Sequence, residues 1–239
     1  MARDRLEAMR VALHGGDAAA MVAAVQSGGF DASLQLAGEV LLVATHGGAV
    51  GAADAARRCV VALHTRGWDG DDELADALSD ALTGSPPELA ELAIDLEELA
   101  SLLDAGPDST GGRIDLTTGI VWPDALLDDD WTGKPDDLDV DDPDRWLAVW
   151  PEGSRAAYRD MIDFAASRTD SRLAAQLDRA LDGRGAFGRF KRVLSDWPDD
   201  SADWFAFADN RSRGRARAWL ADAGYRASFK PIAPHDDGG

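Results

Sequence analysis

Gly183 to Leu194, GRGAFGRFKRVL, and the run from Ser201, SADWFAFADN, decide how the fold is read. Just before them, Ser171 to Asp182 (SRLAAQLDRALD) sets Leu173, Leu177 and Leu181 four residues apart, one apolar stripe on a helix. Gly183 is the expected stop, since glycine accepts the left-handed conformation that ends helices. A second helix is predicted from Gly185 or Ala186, with Phe187, Phe190, Leu194 and Trp197 on one face. Arg189, Arg192 and Asp196 fall on the other face, and Pro198, which lacks a backbone donor, should end the helix. A third helix is expected from about Ala202 to Ala223, with Asp199, Asp200 and Ser201 as capping oxygens. Its second half carries Arg211, Arg213, Arg215 and Arg217, followed by Trp219 and Leu220.

Gly183, Gly185 and Gly188 spell G-x-G-x-x-G. The dinucleotide-binding fingerprint needs a strand before that motif, whereas here a helix precedes it. A helix–helix corner is the expected reading. The alternative is an anion site, in which amides at a helix start, with Arg184 and Arg189, hold a phosphate.

Toward the N-terminus, residues 1 to about 104 read as helices separated by glycine or proline breaks. The expected segments are Arg3–His14, Asp17–Gln26, Ser33–Thr45, Ala52–Thr65, Asp72–Leu82 and Pro87–Leu103. Val11 to His14 recurs as Val61 to His64, which suggests a decayed repeat of helix pairs. His14, His46 and His64 each fall at a predicted helix end, where a cation favours the dipole, and their spacings match no local zinc pattern. Residues 113–116 and 120–122 then alternate around Thr117-Thr118-Gly119 as a hairpin, and RWLAVW from Arg145 supplies a third strand. Between them nine aspartates from Asp128 to Asp144 lack the spacing of a calcium loop and read as a solvated acidic loop, able to fold over the arginine-rich helices. Ser154 should cap a helix over Arg155–Ser167, with Arg159 and Asp163 as an i,i+4 pair. Gly153-Ser154 lacks the G-x-S-x-G of a nucleophile elbow.

The net charge is −20, unevenly distributed. Residues 1–91 hold 6 basic against 14 acidic side chains, residues 92–150 hold 3 against 16, and residues 151–239 hold 15 against 14. The molecule as a whole should repel nucleic acid, and only the C-terminal third could approach a phosphate backbone. Cys59, the one cysteine, is expected to be a buried structural thiol in a reducing compartment. Without an apolar signal core or an 18-residue apolar run, a cytoplasmic location is expected.

GRGAFGRFKRVL, WFAFADN, RARAWLADAGY and the earlier WLAVWPEGSRAAYRDMIDFA together resemble the C-terminal half of uncharacterised protein family 0158, over roughly Ile94 to Tyr225. The resemblance implies a small bacterial cytoplasmic domain and brings no activity, cofactor or catalytic residue with it. It also implies a basic residue where Gly188 stands.

The expected fold class is α+β: an all-helical region over 1–90, then residues 91–230 as a small antiparallel sheet packed with three to four helices, then a disordered tail over 231–239. No catalytic residue, metal or cofactor is assigned. The expected function is a non-enzymatic binding or regulatory module engaging a protein partner. Binding of RNA, single-stranded nucleic acid or phosphate is the alternative, and an enzyme comes third. The binding residues assigned are Arg184, Gly185, Arg189, Lys191, Arg192, Trp204, Arg213 and Arg217, because arginines beside aromatics grip phosphates and stack on bases. The competing reading buries the aromatics and pairs the arginines with Asp196, Asp203 and Asp209.

Overall fold

The computed structural model describes residues 2–28, 33–106, 109–127 and 142–228. Five helices come first: α1 (Ala2–Gly15), α2 (Ala18–Gly28), α3 (Leu34–His46), α4 (Ala52–Arg66) and α5 (Asp71–Thr83). Glycine punctuation sets their ends. Gly67, Gly70 and Gly84 all adopt positive φ, closing α4 and bracketing α5. Met21, Leu36, Leu41, Cys59, Leu63, Leu74 and Leu78 fill one core among these helices.

The remainder begins with β1 (Ala90–Ala93) and α6 (Leu96–Leu103). Next come β2 (Gly112–Asp115), β3 (Val121–Pro123) and β4 (Trp146–Val149), then α7 (Arg155–Ala166) and α8 (Ser171–Leu181). The chain continues with α9 (Ala186–Leu194), α10 (Pro198–Asp222) and β5 (Tyr225–Ser228). The predicted hairpin is present. β2 lies between β3 and β4 in an antiparallel sheet, with Ile114 opposite Val121 and Leu147. The fold is α+β with a helical N-terminal region, and among the described residues no helix is long and apolar enough to cross a membrane.

Several local expectations are corrected. The helix predicted over Pro87–Leu103 is two elements: β1 pairs in parallel with β5, more than a hundred residues away, and α6 starts only after Asp95. The Asp95 side chain accepts from Glu97 N at 2.7 Å and caps α6. Pro198 does not end α9, which stops at Leu194; it opens α10 at the first helical position, where its missing donor costs nothing. Ser154 makes no side-chain capping bond to α7. Asp163 meets Arg211 at 3.7 Å rather than Arg159. The reading of the acidic loop rests on residues 128–141, and that of the tail on 231–239; both stretches lie outside the described residues.

The 25-residue α10 is the axis on which the rest packs. Its start joins a core of Phe164, Leu173, Leu177, Phe190 and Leu194 from α7, α8 and α9, through Trp204. Its end joins the core of α6 and the strands, through Ala216 and Leu220. Between these it crosses the turn from α4 to α5 with no side chain intervening. A Cβ on Gly214 would stand 2.1 Å from Asp69 O, and one on Gly70 would stand 2.2 Å from Gly214 O. Polar bonds lock the same crossing. Asp71, fully buried, accepts from Arg66 Nη2 at 2.6 Å, Trp68 N at 2.8 Å and Gln35 Nε2 at 2.9 Å. Gln35 Oε1 in turn accepts from Arg217 Nε at 3.0 Å, and Asn210 Oδ1 accepts from Gln35 N at 2.8 Å. The N-terminal helices are therefore fastened to α10 by hydrogen bonds, with Arg66 Nη1 and Arg217 Nη2 left buried without an acceptor.

Candidate functional site

The eight residues assigned from the sequence do not form one surface. Arg184, Gly185, Arg189, Lys191 and Arg192 gather at the corner between α8 and α9. Gly183 and Gly185 both take left-handed φ, 68° and 78°, so the three-glycine motif is a helix–helix corner preceded by a helix. Arg189 is spent inside that corner. Its Nε donates to Ala180 O at 3.1 Å and its Nη2 to Gly183 O at 3.3 Å, with further bonds to the carbonyls of Asp182 and Arg184. A guanidinium so placed satisfies the unpaired carbonyls at the end of α8 and favours the dipole there. It is no longer available to a phosphate. The side chains of Arg184, Lys191 and Arg192 are exposed and make no hydrogen bond or ion pair among the described residues.

Trp204, Arg213 and Arg217 are interior. Trp204 is 9% exposed, with ring centroids 4.9 Å from Phe190 and 5.2 Å from Phe164, an aromatic cluster with no face left for a base. Phe205, its neighbour, is the residue that faces out, at 60% exposure. Arg213 Nη2 donates to Glu97 at 2.6 Å, Nη1 to Glu39 at 3.3 Å and Nε to Asp209 at 3.3 Å. Burial pulls its pKa down, but Glu39, Asp209 and Glu97 outweigh that and hold it above the ordinary value. Arg211 and Arg215 share Asp160, at 2.9 and 2.7 Å, and Arg215 also reaches Asp104 at 3.2 Å. The acceptors are thus mostly long-range carboxylates. Of the three expected, Asp209 pairs as predicted, Asp203 pairs with Arg168 at 3.6 Å, and Asp196 makes no ion pair among the described residues. The histidines sit at the ends of their helices as expected, with Nδ1 of His14 2.8 Å from Arg10 O and Nδ1 of His46 2.9 Å from Leu42 O.

What sequence reasoning missed is a recess between α1, α6 and α10, of about 620 Å³. Leu6, Ala100, Ala202, Phe205 and Ala208 supply its apolar lining. Glu7, Glu97, Asp104 and Asp209 place four carboxylates around it, against the guanidiniums of Arg10 and Arg213. Both cations are tied to carboxylates of the lining. Arg10 Nη2 lies 2.9 Å from Asp209 and 3.3 Å from Glu97, and Arg213 is 5% exposed, whereas the Glu97 side chain is 53% exposed. Asp104 accepts from Ser212 as well as from Arg215 and is 30% exposed. The groove combines an apolar stretch of lining with more carboxylates than guanidiniums. In the sequence Phe205 is one of three aromatics early in α10, with Trp204 and Phe207, and α1 and α6 had to be docked before it could mean a groove.

Residues 94–235 match the model of an uncharacterised protein family (UPF0158). A UPF0158 protein of Pseudomonas aeruginosa is 32% identical over 134 residues, covering 55% of this chain and 83% of that protein. No solved structure matches.

Proposed function

The chain belongs to the uncharacterised protein family UPF0158, and from that premise we propose that it is a non-enzymatic binding module that engages a protein partner in the groove between α1, α6 and α10. The observation that carries the reading is Phe205, 60% exposed beside Leu6 and the alanines of α10. What sets Phe205 apart from the other exposed apolar side chains is its place in a recess, where an aromatic can anchor a protein contact. The charged part of the lining sets the partner's chemistry. Carboxylates outnumber guanidiniums four to two there, and the whole chain carries −20, so the complement is a segment with a basic face and an apolar face. Charge of this sign speeds encounter with a cationic segment and repels nucleic acid.

A phosphate or single-stranded nucleic-acid ligand remains the second reading. Its support has narrowed to Arg184, Lys191 and Arg192, the exposed cations of the α8–α9 corner. Both readings are tested by fluorescence anisotropy of the full chain with a labelled amphipathic helical peptide of lysine and leucine, and with a labelled single-stranded RNA. The peptide should bind, more weakly at higher salt, and Phe205→Asp should abolish that binding while Lys191→Glu/Arg192→Glu leaves it intact. Peptide binding indifferent to Phe205→Asp would refute the groove. RNA binding that Lys191→Glu/Arg192→Glu removes would favour the second reading.

A further inference from the structure

A groove of about 510 Å³ runs between α7 and α8, and its lining shares no residue with the recess of α1, α6 and α10. Tyr158, Ile162 and Ala166 of α7, with Ala174, Ala175 and Leu181 of α8, make that lining largely apolar. Ile162 is 44% exposed. Phe187 of α9, 38% exposed, adds to the apolar surface, with its ring centroid 6.5 Å from that of Tyr158. Tyr158 Oη donates to Leu181 O at 2.8 Å, so the start of α7 lies beside the end of α8 and the two helices run antiparallel.

Charge flanks this groove in a regular order. Asp178 and Asp182 line it from α8. Arg155 and Arg159 each precede a lining residue, Tyr158 and Ile162, by three positions, which sets them on the same side of α7. All four are exposed, and their side chains make no hydrogen bond or ion pair among the described residues. Counted from the turn, along α7 from Ala166 and along α8 from Ser171, Arg159 and Asp178 are each seven residues away and Arg155 and Asp182 each eleven. Cations and carboxylates therefore stand at the same two heights on opposite sides of the groove. Ile162 and Ala175 are likewise matched, each four residues from the turn.

We propose that this face pairs two copies of the chain about a two-fold axis running along the groove. Such an axis lays α7 of each copy over α8 of the other and leaves every residue at its own height. Arg159 then meets Asp178 of the partner subunit, Arg155 meets Asp182 of the partner subunit, and Ile162 seats on the partner subunit's Ala175. Two observations select a second copy rather than a foreign chain. The patch carries both halves of each charge pair at matched heights, which an isologous contact requires and a foreign partner does not. Residues 151–239 also hold 15 basic against 14 acidic side chains, so this is the part of a −20 molecule where two copies approach without strong repulsion. Exposed ion pairs contribute little each, so they set the register, while burial of Ile162, Tyr158 and Phe187 drives association. The contact uses no residue of the recess of α1, α6 and α10 and does not depend on the function proposed for it.

The test is the mass of the full chain by sedimentation equilibrium over a dilution series. The wild type should reach twice its 25.4 kDa at the concentrated end, and Ile162→Asp should stay at 25.4 kDa throughout. Charge reversal gives the sharper reading. Arg155→Asp/Arg159→Asp and Asp178→Arg/Asp182→Arg each bring like charges together, so each should be monomeric alone. Mixed, the two variants face opposite charges on both sides of the axis and should form a one-to-one heterodimer. The four charged side chains are exposed and without partners among the described residues, so far-ultraviolet circular dichroism should find both variants folded like the wild type. The proposal is overturned if the wild type stays at 25.4 kDa at every concentration, which would leave the groove to a different partner. It is overturned equally if Ile162→Asp still dimerises, or if the two charge variants dimerise alone or fail to pair when mixed.

Discussion

Gly188 and Gly214 both sit inside helices, and replacing each by alanine should shift stability in opposite directions. Alanine is favoured over glycine in a helix interior by about 0.5–1 kcal/mol, because glycine loses more backbone freedom on folding. At Gly188, in α9, an added Cβ meets nothing within 4 Å, so Gly188→Ala should gain that full amount. For a chain of this size about 1 kcal/mol moves the melting temperature by about 2–4 °C, so the expected rise is about 1–4 °C. At Gly214, in α10, the same methyl would lie 2.1 Å from Asp69 O and 3.2 Å from Asp69 C. Both are backbone atoms, and the turn that carries them is held by Asp71 bonding Trp68 N. Neither partner can swing aside as a side chain would. Overpacking of this kind costs about 1–3 kcal/mol, which exceeds the helix gain and leaves a net loss of about 0.5–2 kcal/mol. Gly214→Ala should therefore melt about 1–8 °C lower. Thermal melts by far-ultraviolet circular dichroism, with urea unfolding followed by tryptophan fluorescence, would measure both. If Gly214→Ala melts higher, as Gly188→Ala should, α10 does not lie directly on the Asp69–Gly70 turn, and the docking of the N-terminal helices described above is wrong.

Other perturbations probe the charges and the thiol. Asp160 is 3% exposed in its side chain and compensates both Arg211 and Arg215, so Asp160→Ala should cost about 3–5 kcal/mol, the effect of breaking a buried pair, in urea unfolding. A loss below about 1 kcal/mol would mean that those guanidiniums find other partners. At Asp115, burial raises the carboxyl pKa, but the Arg145 side chain and Thr117 N donate to it and hold it below its ordinary value. A depressed folded pKa gives stability that is complete above the unfolded value of about 3.9 and is lost as pH falls through the folded one. Asp115→Asn should thus be less stable than the wild type at neutral pH, with the gap closing as the medium is acidified; a constant gap across an acid series would contradict this. Burial pushes the Cys59 thiol up to about 12, so iodoacetamide should label it only after denaturation, and rapid native labelling would place it at the surface.

Much of the local structure was legible. Gly67 and Gly70 mark the break between α4 and α5, and both adopt the left-handed backbone there. The Leu173, Leu177 and Leu181 stripe became a buried face of α8. The alternation around Thr117-Thr118-Gly119 became the β2–β3 hairpin. The candidate sites were not legible. α10 is buried on several sides at once, so it shows no single apolar stripe, and its arginines look alike in sequence. They differ only in what faces them: Arg213 meets three carboxylates, while Arg217 meets a glutamine and a distant, shared Glu39.

By itself the amino-acid sequence determined most of the segments that coil, and that the molecule is anionic everywhere except toward its carboxyl end. Those are properties of neighbours within a turn or two, set by backbone freedom and side-chain periodicity. Only the tertiary structure decided that β1 pairs with β5, that Trp204 turns inward while Phe205 stays out, and which arginines of α10 meet carboxylates directly. Each of these depends on groups far apart in the chain. Whether a charge or an aromatic is satisfied is a matter of distance and dielectric in the folded state, and no local pattern encodes it.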